Sequence, residues 1–248
     1  MTLTTRRGLL LAAGILSAWL GSLVILLPTT RPDLPNGIVL LAVLVRSLLQ
    51  TGLFIVGHDA MHGTLWPERP RANRLIGQTA LVLYAALPYR KCLNNHRRHH
   101  RHAGTLRDPD HHGEGDPSLL SWYLRFMAAY LSPWQLTALV VSWLVLASFA
   151  APFSSSPLSN VLIYGALPVL LSSLQLFVVG TYLPHRSTSP DFSDPGGDHQ
   201  PRSLDLPSWL SLLACFHFGY HWEHHRFPQL AWHELPAAKW RLKEGEPT

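Results

Sequence analysis

The sequence predicts an all-α integral membrane protein: four transmembrane helices in two hairpins, a histidine-rich cytoplasmic cap, and short re-entrant or interfacial helices. Three observations carry that expectation. Of 248 residues, 47% are apolar and 14% charged. An average soluble domain is about 25% charged, so this chain lacks the residues to cover a water-facing surface. Four apolar stretches reach the roughly 20 residues that cross about 30 Å of hydrocarbon at about 1.5 Å per residue. The 15 histidines fall almost entirely into a few clusters beside the ends of those stretches.

The first stretch, Gly8 to Leu27, follows Arg6 and Arg7 and stops at Pro28. It resembles a signal peptide but is longer than a usual hydrophobic region and has no small-residue cleavage site, so it is expected to stay as a helix. A short loop with Pro32 and Pro35 leads to the second stretch, Ile38 to Val56, making an antiparallel hairpin. Trp134 to Ala151 and Val161 to Leu183 form the second hairpin around a Pro- and Ser-rich turn at 152–159. Two runs, Leu75 to Leu87 and Leu206 to Cys215, are apolar but too short to span, and read as re-entrant or interfacial. Residues 187–203, with Pro190, Pro195-Gly196-Gly197 and Pro201, read as a long polar loop. The chain is read as one membrane domain, 1–248, without repeats.

With the N-terminus in the cytoplasm, residues 57–133 and 184–248 form the cytoplasmic cap. All but two of the 20 Lys and Arg then lie inside, Arg31 being in an outer loop and Arg46 within a span. That asymmetry follows the positive-inside rule and puts the histidine clusters on the cytoplasmic face of the membrane, which is expected to be a bacterial inner membrane. It also explains the net charge of +5 without nucleic acid, for which no reading helix or stacking motif is present. Two cysteines, Cys92 and Cys215, are too few for a disulfide framework or a zinc finger.

The histidines have ligand spacing. His58 and His62, at the end of the second stretch, stand at i, i+4; His96, His99, His100 and His221, His224, His225 each repeat i, i+3, i+4. On a helix those offsets project to one side, so each cluster is expected to present its nitrogens to a common centre. Eight imidazoles are too many for one tetrahedral zinc, and two metal ions are the natural count. Imidazole suits iron, zinc, copper and nickel alike, and the His-Glu-x-x-His of zinc peptidases is absent.

Three histidine boxes at the cytoplasmic ends of helical hairpins resemble the membrane fatty-acid desaturase and hydroxylase superfamily. Gly57-His58-Asp59-Ala60-Met61-His62-Gly63, Asn95-His96-Arg97-Arg98-His99-His100-Arg101-His102 with Asp108-Pro109-Asp110, Gly180-Thr181-Tyr182-Leu183-Pro184-His185-Arg186, and Phe216-His217-Phe218-Gly219-Tyr220-His221-Trp222-Glu223-His224-His225 are similar to the bacterial and cyanobacterial β-carotene ketolase branch. The likeness covers about residues 40–240; one departure is His111, where that branch more usually has an aromatic residue. It implies two non-haem irons and O2 as co-substrate, a di-iron cap. The implied iron ligands are His58, His62, His96, His99, His100, His221, His224 and His225. His185, near the end of the fourth stretch, is the choice for a ninth, with His217 as the rival. Asp59 and Glu223 lie inside the boxes and are candidates for orienting imidazoles. His102, His111, His112, His199 and His233 read as neighbouring or surface residues.

The implied reaction converts carbon 4 of the β-ionone rings of β-carotene to a ketone, giving echinenone and then canthaxanthin. The substrate would enter from the bilayer; no substrate-binding residue is legible. Without a Gly-x-Gly-x-x-Gly turn or a cysteine cluster, electrons must come from an external donor such as a ferredoxin, for which Arg97, Arg98, Arg101 and Arg107 offer a docking ground. The alternatives are a carotenoid 3-hydroxylase or lipid desaturase of the same superfamily and, from another class, a metal transporter, whose site would lie nearer the bilayer midplane. Arg46, mid-span with Gln50 one turn on, is expected to face the bundle interior and find a partner there. The tryptophans read mostly as interface anchors.

Overall fold

The computed structural model of the chain describes residues 1–29, 35–186 and 201–244. Among these residues every regular element is helical. Four helices are long and apolar enough to cross a membrane: α1 (Leu3–Leu26), α2 (Asn36–His62), α6 (Pro133–Ala150) and α7 (Pro157–His185). Between and after them come α3 (Pro70–Ala85), α4 (Tyr89–His102), α5 (Leu119–Tyr130), α8 (Ser208–Cys215), α9 (His221–Arg226) and α10 (Leu235–Glu244). Residues 187–200, most of the expected polar loop and His199 with it, lie outside the described residues.

The helix ends differ from the expected ones for local reasons. Thr2 accepts the Thr5 N–H at 3.1 Å, so α1 begins before Gly8. Ser132 and Gln135 form a capping box at α6, with Pro133 in the first turn. α2 does not stop at Val56, where the apolar run ends, but continues through the first histidine box to His62. There Gly63, at φ 76°, turns the chain into the left-handed region and closes the helix.

α7 is not a regular α-helix. It contains two π-helical segments, Leu162–Ala166 and Phe177–Tyr182. Each precedes a proline, Pro168 or Pro184, that has no N–H to give the carbonyl four residues back. For Pro168 that carbonyl belongs to Tyr164, and the Arg46 Nε donates to it at 2.9 Å. Arg46 also donates to the Trp19 carbonyl at 2.7 Å and the Ser22 hydroxyl at 2.9 Å, and its guanidinium lies over the Trp19 ring. The mid-span arginine thus has its partners inside the protein, as expected of a charge in hydrocarbon.

The contacts divide the chain into two compact units, Met1–Tyr89 with Leu131–Leu174, and Arg90–Tyr130 with Gln175–Thr248. In the first, α1 packs on α2, and Leu23, Leu27, Ala147, Ala150 and Val161 form a buried cluster flanked by Trp19, Trp143 and Leu146. α3 packs along the second half of α2, where small residues allow close approach: a methyl group on Gly57 would stand 2.6 Å from Leu81. In the second unit α5 and α8 pack on the last turns of α7, and α9 on α10.

Candidate metal centre

In the first unit, His58 and His62 occupy the last turn of α2, one turn apart, with ring centroids 4.9 Å from each other. Helix ends leave carbonyls without intrahelical donors. Here the Ala60 carbonyl takes the Asn73 amide and the Tyr89 hydroxyl, both at 2.8 Å, and the Gly63 N–H at 3.1 Å. Those bonds fix the turn that carries both imidazoles. Asp59 is buried, with its carboxylate 3.9 Å from the His58 Nδ1.

The second unit brings four imidazoles together without help from the first. His99 of α4, His185 at the end of α7, and His221 and His225 of α9 place one ligand nitrogen each within 4.8 Å of all the others. The Nε2 atoms of His99 and His225 are 3.0 Å apart, and those of His225 and His221 3.1 Å. His96, His100 and His224 gather separately, with Nε2 distances of 3.1 Å from His100 to His96 and 3.0 Å to His224. The expectation that each box addresses one common centre is therefore corrected for the second and third boxes, which are each divided.

The reason is the helical repeat. At about 100° per residue, positions i and i+4 differ by about 40° in direction, whereas i+3 and i+4 differ by about 100°. His96 and His100 accordingly face together, as do His221 and His225. His99 turns from its own box toward the His221–His225 pair, and His224 toward the His96–His100 pair. His100 also stacks on His225 with ring centroids 4.2 Å apart, so the two groups adjoin.

Behind His99 stands a carboxylate brace. The His99 Nδ1 is 3.0 Å from both Asp108 oxygens and 3.7 Å from Asp110. With Nδ1–H donated to Asp108, Nε2 keeps its lone pair for the cluster. Asp108 is held in turn by the Gly104 and Asp110 N–H groups at 3.0 and 2.9 Å. From α5, the Tyr130 hydroxyl donates to Asp110 and the Trp122 indole to the Asp110 carbonyl, both at 2.7 Å.

The electrostatics follow. Burial disfavours the His99 cation, but the Asp108 hydrogen bond and the charges of Asp110 and Asp108 outweigh it and raise its pKa. Burial also works against the Asp108 anion, yet His99 and the two backbone N–H groups hold it below the usual carboxylate range. Burial pushes Asp110 up to about 6 against the pull of His99. Burial, then the surrounding histidines, keeps His225 well below the imidazole range, neutral and able to donate a lone pair.

This donor set fits a metal cation. The His185 Nε2 is buried and has no hydrogen-bond partner, a cost of about 1–3 kcal/mol unless a cation takes its lone pair. His217 lies outside the cluster, at φ 62°, with its ring stacked between Tyr220 and Trp232. Burial lowers its pKa to about 4. The Glu223 carboxylate accepts the Ser203 hydroxyl, whose oxygen also accepts the Trp222 N–H at 3.1 Å. His112 packs on Trp122, His111 accepts the Gly113 N–H, and His233 adjoins Trp232. His102 accepts the Thr105 hydroxyl on its carbonyl. None of these four joins the four-imidazole group.

Sequence reasoning named Asp59 and Glu223 as orienting groups and missed Asp108, Asp110, Trp122 and Tyr130. A signal existed: Asp108-Pro109-Asp110 follows the second box closely and puts two acids beside a run of arginines and histidines.

Four membrane-length helices, with imidazole groups at helix ends that can hold a metal ion, are the features of a membrane protein of the desaturase class. The chain belongs to the fatty acid desaturase family, whose model matches residues 35–138 and 119–248. It is 44% identical over 192 residues to a beta-carotene ketolase of Paracoccus sp. (strain PC1), covering 77% of this chain and 75% of that protein. It is 40% identical over 236 residues to the beta-carotene ketolase of Paracoccus sp. (strain N81106 / MBIC 01143), covering 95% and 93%. A beta-carotene 4-ketolase of Protosiphon botryoides is 39% identical over 204 residues, 81% of this chain and 51% of that protein.

Proposed function

We propose that this chain is a β-carotene 4-ketolase, a non-haem di-iron oxygenase that converts the ring carbon-4 methylene to a ketone, giving echinenone and then canthaxanthin. The observation that carries the reading is the buried four-imidazole cluster with its Asp108 brace, in a chain about as similar to β-carotene ketolases over its whole length as over its best-matched part. The iron ligands are His58, His62, His96, His99, His100, His185, His221, His224 and His225.

Two irons held by neutral imidazoles would supply the activation of O2 and the removal of hydrogen from the ring carbon. Everything else falls to the protein. Asp108 holds the His99 Nδ1 proton, so that Nε2 stays a ligand; Tyr130 and Trp122 keep Asp110 and its loop against His99. At the substrate, two successive hydroxylations of the allylic carbon and loss of water from the geminal diol give the ketone. Each hydroxylation consumes O2, two electrons and two protons. The electrons come from an external ferredoxin-like donor.

In this reading the spans form two hairpins, both termini and the histidine cap lie on the cytoplasmic side of an inner membrane, and the carotenoid arrives through the lipid. The test is pigment analysis of β-carotene-producing bacterial cells carrying the chain or its His99→Ala variant. Echinenone and canthaxanthin with the intact chain alone are expected. Unchanged β-carotene beside folded, iron-loaded protein overturns the ketolase assignment, and a 3-hydroxylated product assigns the hydroxylase activity instead.

A further inference from the structure

The two short apolar helices, α3 and α8, end in the same way, although each belongs to a different unit. α3 closes on Ala86 at φ 52°, with the Leu87 N–H reaching the Leu81 carbonyl at 3.1 Å and the Ala86 N–H the Val82 carbonyl at 2.9 Å. α8 closes on Phe216 at φ 49°, with the His217 N–H reaching Ser211 at 3.0 Å and the Phe216 N–H reaching Leu212 at 2.8 Å. A left-handed non-glycine residue is unusual, and this closure satisfies helix-end carbonyls internally.

Two further carbonyls of each end are taken by a glutamine from a membrane-length helix. Gln50 of α2 donates its amide to the Tyr84 carbonyl and, at 3.4 Å, to that of Leu83. Gln175 of α7 donates to the Ala214 carbonyl at 2.7 Å and to that of Leu213 at 3.1 Å. A helix end in water needs no such caps; in hydrocarbon every carbonyl must find an internal donor.

The contacts also fix how far α3 and the C-terminal end of α8 descend. Along α2, Ala60 meets Asn73 and Gly77, Gly57 meets Leu81, and Gln50 meets Leu83 and Tyr84, so α3 runs antiparallel to α2 down to its midpoint. Along α7, Pro184 accepts the Arg202 N–H, Gly180 faces Phe218, Gly219 faces Val179, and Gln175 caps α8. At about 1.5 Å per residue, Gln50 lies about 18 Å from the His62 end of α2 and Gln175 about 15 Å from the His185 end of α7. At these depths the outward side chains are apolar: Val82 is 59% exposed and Leu213 52%.

We propose that α3 and α8 are re-entrant helices that enter the bilayer from the end of the spans that bears the histidines and contact lipid acyl chains near its centre, each held there by its glutamine. The inference rests on α2 and α7 crossing a bilayer. The two short runs, which sequence left open as re-entrant or interfacial, are thus embedded rather than lying on the surface.

The test is spin-label accessibility of the full chain in phosphatidylcholine vesicles, with nitroxides on Val82→Cys and Leu213→Cys and a reference on Leu144→Cys in α6. Cys92 and Cys215 are 3% and 0% exposed, so labelling favours the introduced thiol. The expected result is collision with O2 but not with a water-soluble nickel chelate at both sites, matching Leu144. A label at Leu75→Cys, nearer the start of α3, should meet the chelate more than Val82→Cys does. Chelate access at Val82 or Leu213 about tenfold above that at Leu144 overturns the proposal while leaving the spans intact. Chelate access at all of them overturns the spans too. Photolabelling of the unaltered chain, with a lipid carrying a diazirine at its acyl terminus, needs no variant. Adducts on 80–86 and 209–214 support the proposal, and adducts confined to the four long helices overturn it.

Discussion

Asp108 is the residue on which the His99 end of the cluster depends, because its carboxylate receives the one ring proton that would otherwise compete with the ligand nitrogen. Replacing such an outer partner typically lowers metal affinity or activity about 10–100-fold. Asp108→Ala is therefore expected to lose iron and ketone formation by about that factor, with Asp108→Asn between it and the parent; iron per chain and pigment yield check this. Gly180 matters for space. A methyl group there would collide with the Phe218 ring, which lies 5.4 Å from the His221 ring and 5.7 Å from that of His224. Gly180→Ala should thus displace the third box and cut iron retention several-fold, and adding Phe218→Leu should restore part of it. A double variant that recovers nothing would show that the loss arises elsewhere than at this contact.

Among the elements, α7 shows how much the sequence discloses and where it stops. Its apolar length was legible, as were the four long helices together, because hydrophobic runs are set by the membrane and not by partners. Its start and its two π segments were not read, although Pro168 and Pro184 mark them, because what a proline does within a helix depends on who takes the freed carbonyl. For Tyr164 that donor is Arg46, far away in the chain. The histidine boxes were legible for a similar reason: i, i+3, i+4 spacing is local. Their division into two groups requires α4, α7 and α9 to meet, and Asp108 becomes meaningful only once its loop folds back on His99. Arg46→Met should leave the Tyr164 carbonyl without its side-chain donor, while the Trp19 carbonyl keeps the Ser22 hydroxyl at 2.8 Å. With one buried acceptor orphaned at about 1–3 kcal/mol, a loss of about that size is expected. Thermal unfolding in detergent measures it, and an unchanged midpoint would remove Arg46 from the account of α1, α2 and α7.

For the whole molecule, the unresolved demand is electrons, since the sequence carries no motif for a redox group of its own. α4 supplies a place where they could arrive. One side of this helix bears Cys92, His96, His99 and His100; the other exposes Arg90, Arg97, Arg98 and Arg101, with Arg107 following and its carbonyl 3.3 Å from the Arg98 guanidinium. Among the described residues none of Arg97, Arg98, Arg101 and Arg107 pairs with a carboxylate, so their charge is available to an acidic protein. A donor docked there would sit one helix thickness, about 10 Å, from the imidazoles. The positive-inside rule accounts for the same arginines without any partner, and ionic strength separates the two explanations. If the face docks the donor, Arg101→Glu with Arg107→Glu should lower donor kcat/KM about tenfold at low salt. The deficit should shrink toward that of the parent at about 0.5 M salt, where charges more than a few ångströms apart are screened, while iron content stays constant. Equal donor kinetics for the double variant and the parent at low salt would leave those arginines with topology as their whole purpose, and the docking surface would have to be sought away from α4.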